Sequence, residues 1–272
     1  MRRIKRIVPL YWMVTLATVA VGYAGVSFGA SPTVAELIKS MFFIAFENPE
    51  QGRRMVPVVG VGWTLNLEMA FYAIFALTLL IPLKFRFWTV IAAQFAIFLV
   101  PVIIGDGSQV LDFYGNNIVL EFAAGVAIGS IYLSGRILPS NWLLPTFLIL
   151  TVPLVSFILP ASIPRLLRFG IPAVAIVYGT LAYEKFLFRS PVALLLGSAS
   201  YSIYLTHKTA VLFLFTLSLH GMFPKQAILA WPLVSIFAVA FGILTYQFVE
   251  RPFLSSRQKN LPSVPGNRRG SI

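Results

Sequence analysis

The sequence predicts an all-α protein, a polytopic integral membrane bundle of about eight transmembrane helices. Three observations carry this. Of 272 residues, 58% are hydrophobic and only 11% charged, with a mean hydropathy of +0.85, whereas soluble domains carry roughly 25% charged residues. Apolar stretches close to the 20 or so residues needed to cross a bilayer recur along the chain. Short polar loops punctuated by Pro and Gly separate them, as at Pro82, Gly105-Asp106-Gly107 and Pro139-Ser140-Asn141. So much apolar surface, with 24 Phe, 10 Tyr and 5 Trp, cannot all be folded inside one water-soluble core. The bilayer is the solvent, and little chain is left for a soluble domain.

The first span starts at Ile7, after the basic run Arg2-Arg3-Ile4-Lys5-Arg6, and continues to about Ser27. It is long enough to cross, and no convincing cleavage site follows it, so it reads as a helix and not as a leader. Between Ser31 and Val61 the pattern is mixed, and Val34 to Phe46 is amphipathic and short, which predicts an interfacial or re-entrant helix. Clear spans follow at about 62–82, 86–105, 117–133, 142–160, 167–183, 194–219 and 227–249. Gly125 and Gly129 make a small-xxx-small step that predicts a close helix approach. Pro252 fits a helix stop. The division expected is a transmembrane domain over 1–250 and a polar, disordered cytoplasmic tail over 251–272.

Net charge is +12, from 21 Lys and Arg against 9 Asp and Glu. With eight spans both termini share one side, which collects fourteen of the basic residues against six opposite, with Lys208 inside a span. The positive-inside rule then places both termini in the cytoplasm. Topology therefore explains the basic balance, and nothing points to nucleic acid. The absence of cysteine excludes disulfides and thiolate chemistry, and two His residues argue against a histidine-rich metal site.

Polar groups inside apolar spans are expensive and mark function or structural pairing, an ionisable one costing about 2.5–3.5 kcal/mol on insertion scales. In Gly62-Trp63-Thr64-Leu65-Asn66-Leu67-Glu68-Met69-Ala70-Phe71-Tyr72, Glu68 stands six residues into its span, about 9 Å along a helix. Thr64, Glu68 and Tyr72 share one face. Such a carboxylate can act as a base, orient a histidine or pair with an arginine, or simply fix the bundle through an interhelical bond. Further on, Ser200, Tyr204 and His207 form a polar stripe, with Tyr201 and Lys208 beside it. His207 can take and return a proton near neutral pH, or be a satisfied structural group. Helical spacing sets Arg2, Arg3 and Arg6 on adjacent ridges at the cytoplasmic mouth of the first span. Arginine forks suit phosphate, so a phosphorylated ligand such as coenzyme A can dock there; the alternative is anchoring to anionic lipid. Glu250, beside Arg251 and Pro252, reads as a structural clasp, with the N-terminal cluster one of its possible partners.

Taken together, these segments resemble the acyltransferase family 3 membrane proteins. Arg3-Ile4-Lys5-Arg6-Ile7-Val8-Pro9-Leu10-Tyr11-Trp12 is similar to that family's R-x-x-R-x-x-P-x-Y-W element, and Trp63-Thr64-Leu65-Asn66-Leu67-Glu68 with Phe71-Tyr72 to its W-[ST]-L-x-x-E-x-x-F-Y element. The Ser200 to His207 stretch and Glu250-Arg251-Pro252 look like its late elements, in the same order, and the wording around Trp63 looks most like the exopolysaccharide-modifying branch. The resemblance implies transfer of an acyl group, usually acetyl, from cytoplasmic acyl-CoA to a sugar hydroxyl of a surface glycan or lipid-linked sugar, in a bacterial inner membrane. By it, Arg3 and Arg6 hold the donor, Glu68 belongs to the buried active-site network, and Tyr201, Tyr204 and His207 line or brace the cavity. His207 matches a different family position from the family's proposed catalytic histidine; Glu68 and His207 are the catalytic candidates of this chain. Trp63, Asn66, Tyr72, Tyr201, Tyr204 and Glu250 are substrate-binding or structural. Acetyl-CoA or another acyl-CoA is the donor substrate, and no tightly bound cofactor or metal is expected. The family pattern has ten spans, with its proposed catalytic histidine on the first. Met1 falls directly before the arginine motif that opens the family's third helix, so two helices and that histidine are expected to be missing. The rival class is a transporter or flippase of a lipid-linked glycan, with Glu68 and His207 lining a pathway; no inverted duplication is visible.

Overall fold

A computed structural model describes residues 2–25, 29–105, 107–135, 143–160, 162–184, 190–219 and 227–255. It is helical almost throughout, with one two-stranded hairpin. Among the described residues, five helical stretches are long and apolar enough to cross a membrane: Arg3–Tyr23, Gly60–Thr78, Leu83–Ile104, Gln109–Leu133 and Ala230–Leu254. Their outward faces carry bulky apolar side chains, Trp88 at 67%, Leu133 at 85% and Phe248 at 75% exposure. Water would penalise that arrangement and lipid would not. The chain divides into two compact units, Met1–Phe42 with Val58–Val61 and Ser190–Ile272, and Phe43–Pro57 with Gly62–Arg189.

In the first unit, α1 (Arg2–Tyr23) is followed by α2 (Val34–Met41). The start of α2 is set by a capping box: Thr33 Oγ1 accepts from the Glu36 backbone while the Glu36 carboxylate accepts from the Thr33 N–H. It is the short amphipathic helix predicted, ending at Met41 before Phe43 turns to φ 59°. Tyr11 bonds Ser40 at 2.8 Å and the Trp12 indole donates to the Met41 carbonyl at 2.8 Å, fastening α2 against α1. The 29-residue α9 (Pro191–Leu219) packs along α10 (Ala227–Thr245), and α11 (Arg251–Ser255) follows a π turn at Tyr246–Glu250. Helix therefore runs through Pro252 instead of stopping there. The wide π turn shifts the preceding carbonyls that the proline ring would otherwise strike. The disordered tail is expected over 251–272; Arg251–Ser255 is helical instead, and residues 256–272 lie outside the described residues.

The second unit opens with a hairpin, β1 (Glu47–Asn48) pairing antiparallel with β2 (Arg54–Met55) around a turn closed by Gly52 at φ 70°. Helices α3 (Trp63–Thr78), α4 (Leu83–Ile104), the short α5 (Gln109–Tyr114), α6 (Val119–Leu133), α7 (Leu143–Ile158) and α8 (Ile171–Ala182) follow. Arg86 caps α3, donating from Nε to the Ile81 carbonyl and from Nη2 to that of Leu79 at 2.8 and 2.9 Å, which satisfies acceptors orphaned at that helix end. A second π turn, Leu166–Gly170, precedes Pro172 as the first precedes Pro252. Glu121 on α6 pairs with Arg165.

The small-xxx-small expectation is corrected. A Cβ built on Gly125 or Gly129 meets nothing within 4 Å among the described residues, so this step packs no helix. Close approach occurs instead at Gly242, whose Cβ would fall 2.5 Å from the Ile203 backbone, and at Gly179, which would meet α7.

Candidate functional site

Each unit carries a polar cluster set in apolar surroundings. In the first unit the cluster gathers around Glu250, whose side chain is 1% exposed. A buried carboxylate persists only with partners, and this one has two. Arg6 Nε donates to Oε1 at 2.8 Å and Ser202 Oγ donates to Oε2 at 2.6 Å. Arg6 also donates from Nη2 to the Ser198 carbonyl at 2.6 Å, and Tyr201 donates to the Ile7 carbonyl at 3.0 Å. Thus α1, α9 and the π turn before α11 are joined by one network. Both carboxylate oxygens of Glu250 are thus engaged in this clasp.

Arg6 remains 28% exposed and spends two N–H groups inside the protein, while Arg3 and Lys5 are exposed beside it. The Arg2 side chain lies outside the described residues. The predicted stripe on α9 is shifted. Ser200 faces outward and bonds its own helix at the Gly197 carbonyl, whereas Ser202, fully buried, is the inward serine.

One to two turns further along α9, Tyr204 donates to the Val61 carbonyl at 2.5 Å. His207 is half-buried, with Nδ1 2.6 Å from the Tyr204 carbonyl oxygen and its ring 6.0 Å from that of Tyr204. A carbonyl can only accept, so Nδ1 carries a proton, and Nε2 is the nitrogen left to exchange one.

In the second unit the start of α3 carries the acidic motif. Tyr72 O–H donates to Glu68 Oε1, joining two residues of the predicted face. Trp63, first residue of α3, is half-buried. Asn66 is 1% exposed, and among the described residues neither its Nδ2 nor its Oδ1 has a hydrogen-bond partner. Such a group costs about 1–3 kcal/mol in the folded state. The sequence reading missed Gln94 on α4, 1% exposed, whose Nε2 also has no partner among the described residues. The signal was present, since Gln94 is a lone amide in the apolar run 86–105.

Apolar helices of this length, with polar groups drawn inward, are those of a multi-pass membrane protein. The acyltransferase family 3 model, described as an acyltransferase domain, matches residues 1–247. The exopolysaccharide production protein ExoZ of Rhizobium meliloti (strain 1021) is 33% identical over 257 residues, covering 93% of this chain and 79% of that protein. No solved structure matches. The chain belongs to the acyltransferase family 3 proteins.

Proposed function

We propose that this protein transfers an acyl group from acyl-CoA to a hydroxyl of an exopolysaccharide or other cell-surface sugar. The similarity to an exopolysaccharide production protein over nearly the whole chain carries this reading. Eight spans with both termini in the cytoplasm of an inner membrane belong to this reading; α7, α8 and α9 overlap the three predicted spans beyond the five long helices. Arg3 and the free edge of Arg6 then face cytoplasmic donor phosphates. Trp63, Tyr201 and Tyr204 brace the helices that carry the reacting groups.

His207 Nε2 takes the proton from the sugar hydroxyl as its oxygen attacks the thioester carbonyl carbon. The carbon–sulfur bond breaks, and the departing thiolate receives that proton from the imidazolium. Glu68, to which the Tyr72 phenol donates, is the other catalytic candidate. The experiment is acyl transfer in membranes containing the protein, with radiolabelled acyl-CoA and the lipid-linked or polymeric glycan. An alkali-labile radiolabelled ester on the glycan is expected. Unchanged glycan ester content after deletion of the gene, in cells with no second copy, would overturn the reading, as would glycan translocation without ester formation.

A further inference from the structure

Hydrogen bonds within the first unit fix the course of the chain after α1. The Tyr23 hydroxyl donates to the Pro32 carbonyl at 2.9 Å and the Ala30 N–H to the Thr18 carbonyl at 3.1 Å, so the chain turns back along the helix it has just left. Gly22 and Gly29 permit this, since a Cβ on either would strike backbone of the other segment. At the far end of α2, Ser40 bonds Tyr11 and the Met41 carbonyl accepts from the Trp12 indole. Trp12 is midway along α1, whose 22 residues extend about 33 Å, close to the roughly 30 Å of a bilayer's hydrocarbon core. Helix α2 therefore descends from the end of the span to its middle, and is re-entrant, not interfacial.

The descent carries Lys39 with it. Its side chain is exposed, next to the fully buried Ser40, and it makes no ion pair among the described residues. Glu36, one turn before it, spends its carboxylate on Thr33. A lysine stem of five bonds reaches about 6 Å, against about 16 Å from the middle of α1 to either end, so the ammonium does not snorkel to a headgroup. A charge at that depth faces either hydrocarbon or water, and hydrocarbon is the costly choice. The recess beside α2 is therefore wet.

The proposed base stands at the same level. Ser40 Oγ accepts from the Val58 N–H at 3.2 Å, Tyr204 donates to the Val61 carbonyl, and the Tyr204 carbonyl holds His207. The step from Val58 to Val61 spans at most about 10 Å of chain.

Lipid phosphates stay at headgroup level, and the donor's phosphates are assigned to Arg3 and Arg6, about 9–13 Å along α1 from Trp12. What remains to answer Lys39 is the acceptor, arriving from the other face. Low-dielectric walls focus the field of a lone cation, and a sugar carboxylate meets it with a charge-assisted hydrogen bond. We propose that Lys39 binds the acceptor, donating to a carboxylate of an acidic sugar in the glycan, in a water-filled recess that α2 lines down to the level of His207. The assignment rests on the acyl-transfer reading above and names its acceptor class.

The chain has no cysteine, so a single introduced thiol reads without background. Lys39→Cys should react with a membrane-impermeant maleimide added outside sealed right-side-out vesicles. Ile38→Cys, on the exposed apolar stripe with Val34 and Phe42, should react at least tenfold more slowly. Oligoglucuronate should slow labelling at position 39 at least fivefold, and its carboxyl-reduced form should not. In acyl transfer by the full chain in nanodiscs, Lys39→Met should raise the KM for the acidic glycan at least tenfold. It should leave the KM for the carboxyl-reduced glycan within twofold and the donor KM unchanged, while Lys39→Arg restores most of the affinity. A merely structural lysine would not split the two acceptors. A thiol that the maleimide does not reach from outside overturns the proposal, as does an equal KM rise for both glycans. Protection by oligoglucuronate with no transfer from any donor keeps the site and sinks the acyl-transfer reading. Transfer that Lys39→Met leaves unaltered, with labelling indifferent to oligoglucuronate, does the reverse.

Discussion

Arg6 and Glu250, 244 residues apart, meet in a 2.8 Å ion pair in which the carboxylate is buried and the guanidinium half-exposed. The asymmetry sets what each substitution does. Removing Arg6 strands a buried charge, and breaking a buried pair from one side costs about 3–5 kcal/mol. Arg6→Ala should therefore destabilise by about 3 kcal/mol in thermal unfolding of the detergent-solubilised protein. Glu250→Gln should cost less, because its amide oxygen still accepts from Ser202 or Arg6. The double variant Arg6→Met/Glu250→Leu should recover most of the loss; singles that simply add would show that the pair is not coupled.

Two glycine sites separate packing from mere sequence spacing. Gly242→Ala places a methyl 2.5 Å from the Ile203 Cα, and because that neighbour is backbone, α9 and α10 must separate. Overpacking of this kind costs about 1–3 kcal/mol. Gly129→Ala enters open space and removes a residue of poor helix propensity, so it should be neutral or stabilising by up to about 1 kcal/mol. Melting temperatures of the two variants, measured side by side, check this. Equal losses would mean that Gly129 meets a neighbour outside the monomer.

The helices were legible because bilayer thickness imposes a length on each apolar run, and composition alone reports it. The clasp was legible in part: Glu250 beside a basic N-terminus invited pairing, yet only packing of α1 against α9 selects Arg6. Ser200 misled because a stripe at i, i+4 and i+7 fixes residues relative to one another and not to the neighbouring helix. Ser202, two positions on, faces the carboxylate. Gln94 went unread because attention followed ionisable groups, although a neutral amide in hydrocarbon carries the same kind of penalty on a smaller scale. Pro252 was read as a stop by a rule that holds for α turns, and a π turn evades it.

Asn66 offers a test that divides function from folding. Its amide is buried with both polar atoms unpartnered, so replacing it with an apolar residue of similar size removes a desolvation cost and no bond. Asn66→Leu should leave stability unchanged or raise it by about 1 kcal/mol, while acyl transfer falls at least tenfold. That pairing is the signature of a residue kept for its chemistry at the expense of the fold. A loss of stability without a fall in transfer per folded molecule would make Asn66 structural.

His207 can be probed by its two nitrogens separately. Nδ1 is held by the Tyr204 carbonyl at 2.6 Å, so the proposed base is Nε2. Asparagine places an N–H near Nδ1 and nothing at Nε2, while glutamine reaches toward Nε2 with an amide oxygen that cannot accept a proton at neutral pH. His207→Asn should keep the bond to Tyr204 and hence most of the stability, yet lose the factor of about 10²–10⁴ typical of a general base. His207→Gln should lose transfer to a similar extent and some stability as well. In both, the fall should lie in kcat with little change in donor KM, because the base acts on the acceptor hydroxyl. If His207→Asn restores transfer to within about threefold of the parent, the histidine is only a strut beneath Tyr204, and the proton must leave through another group, with Glu68 the next to substitute.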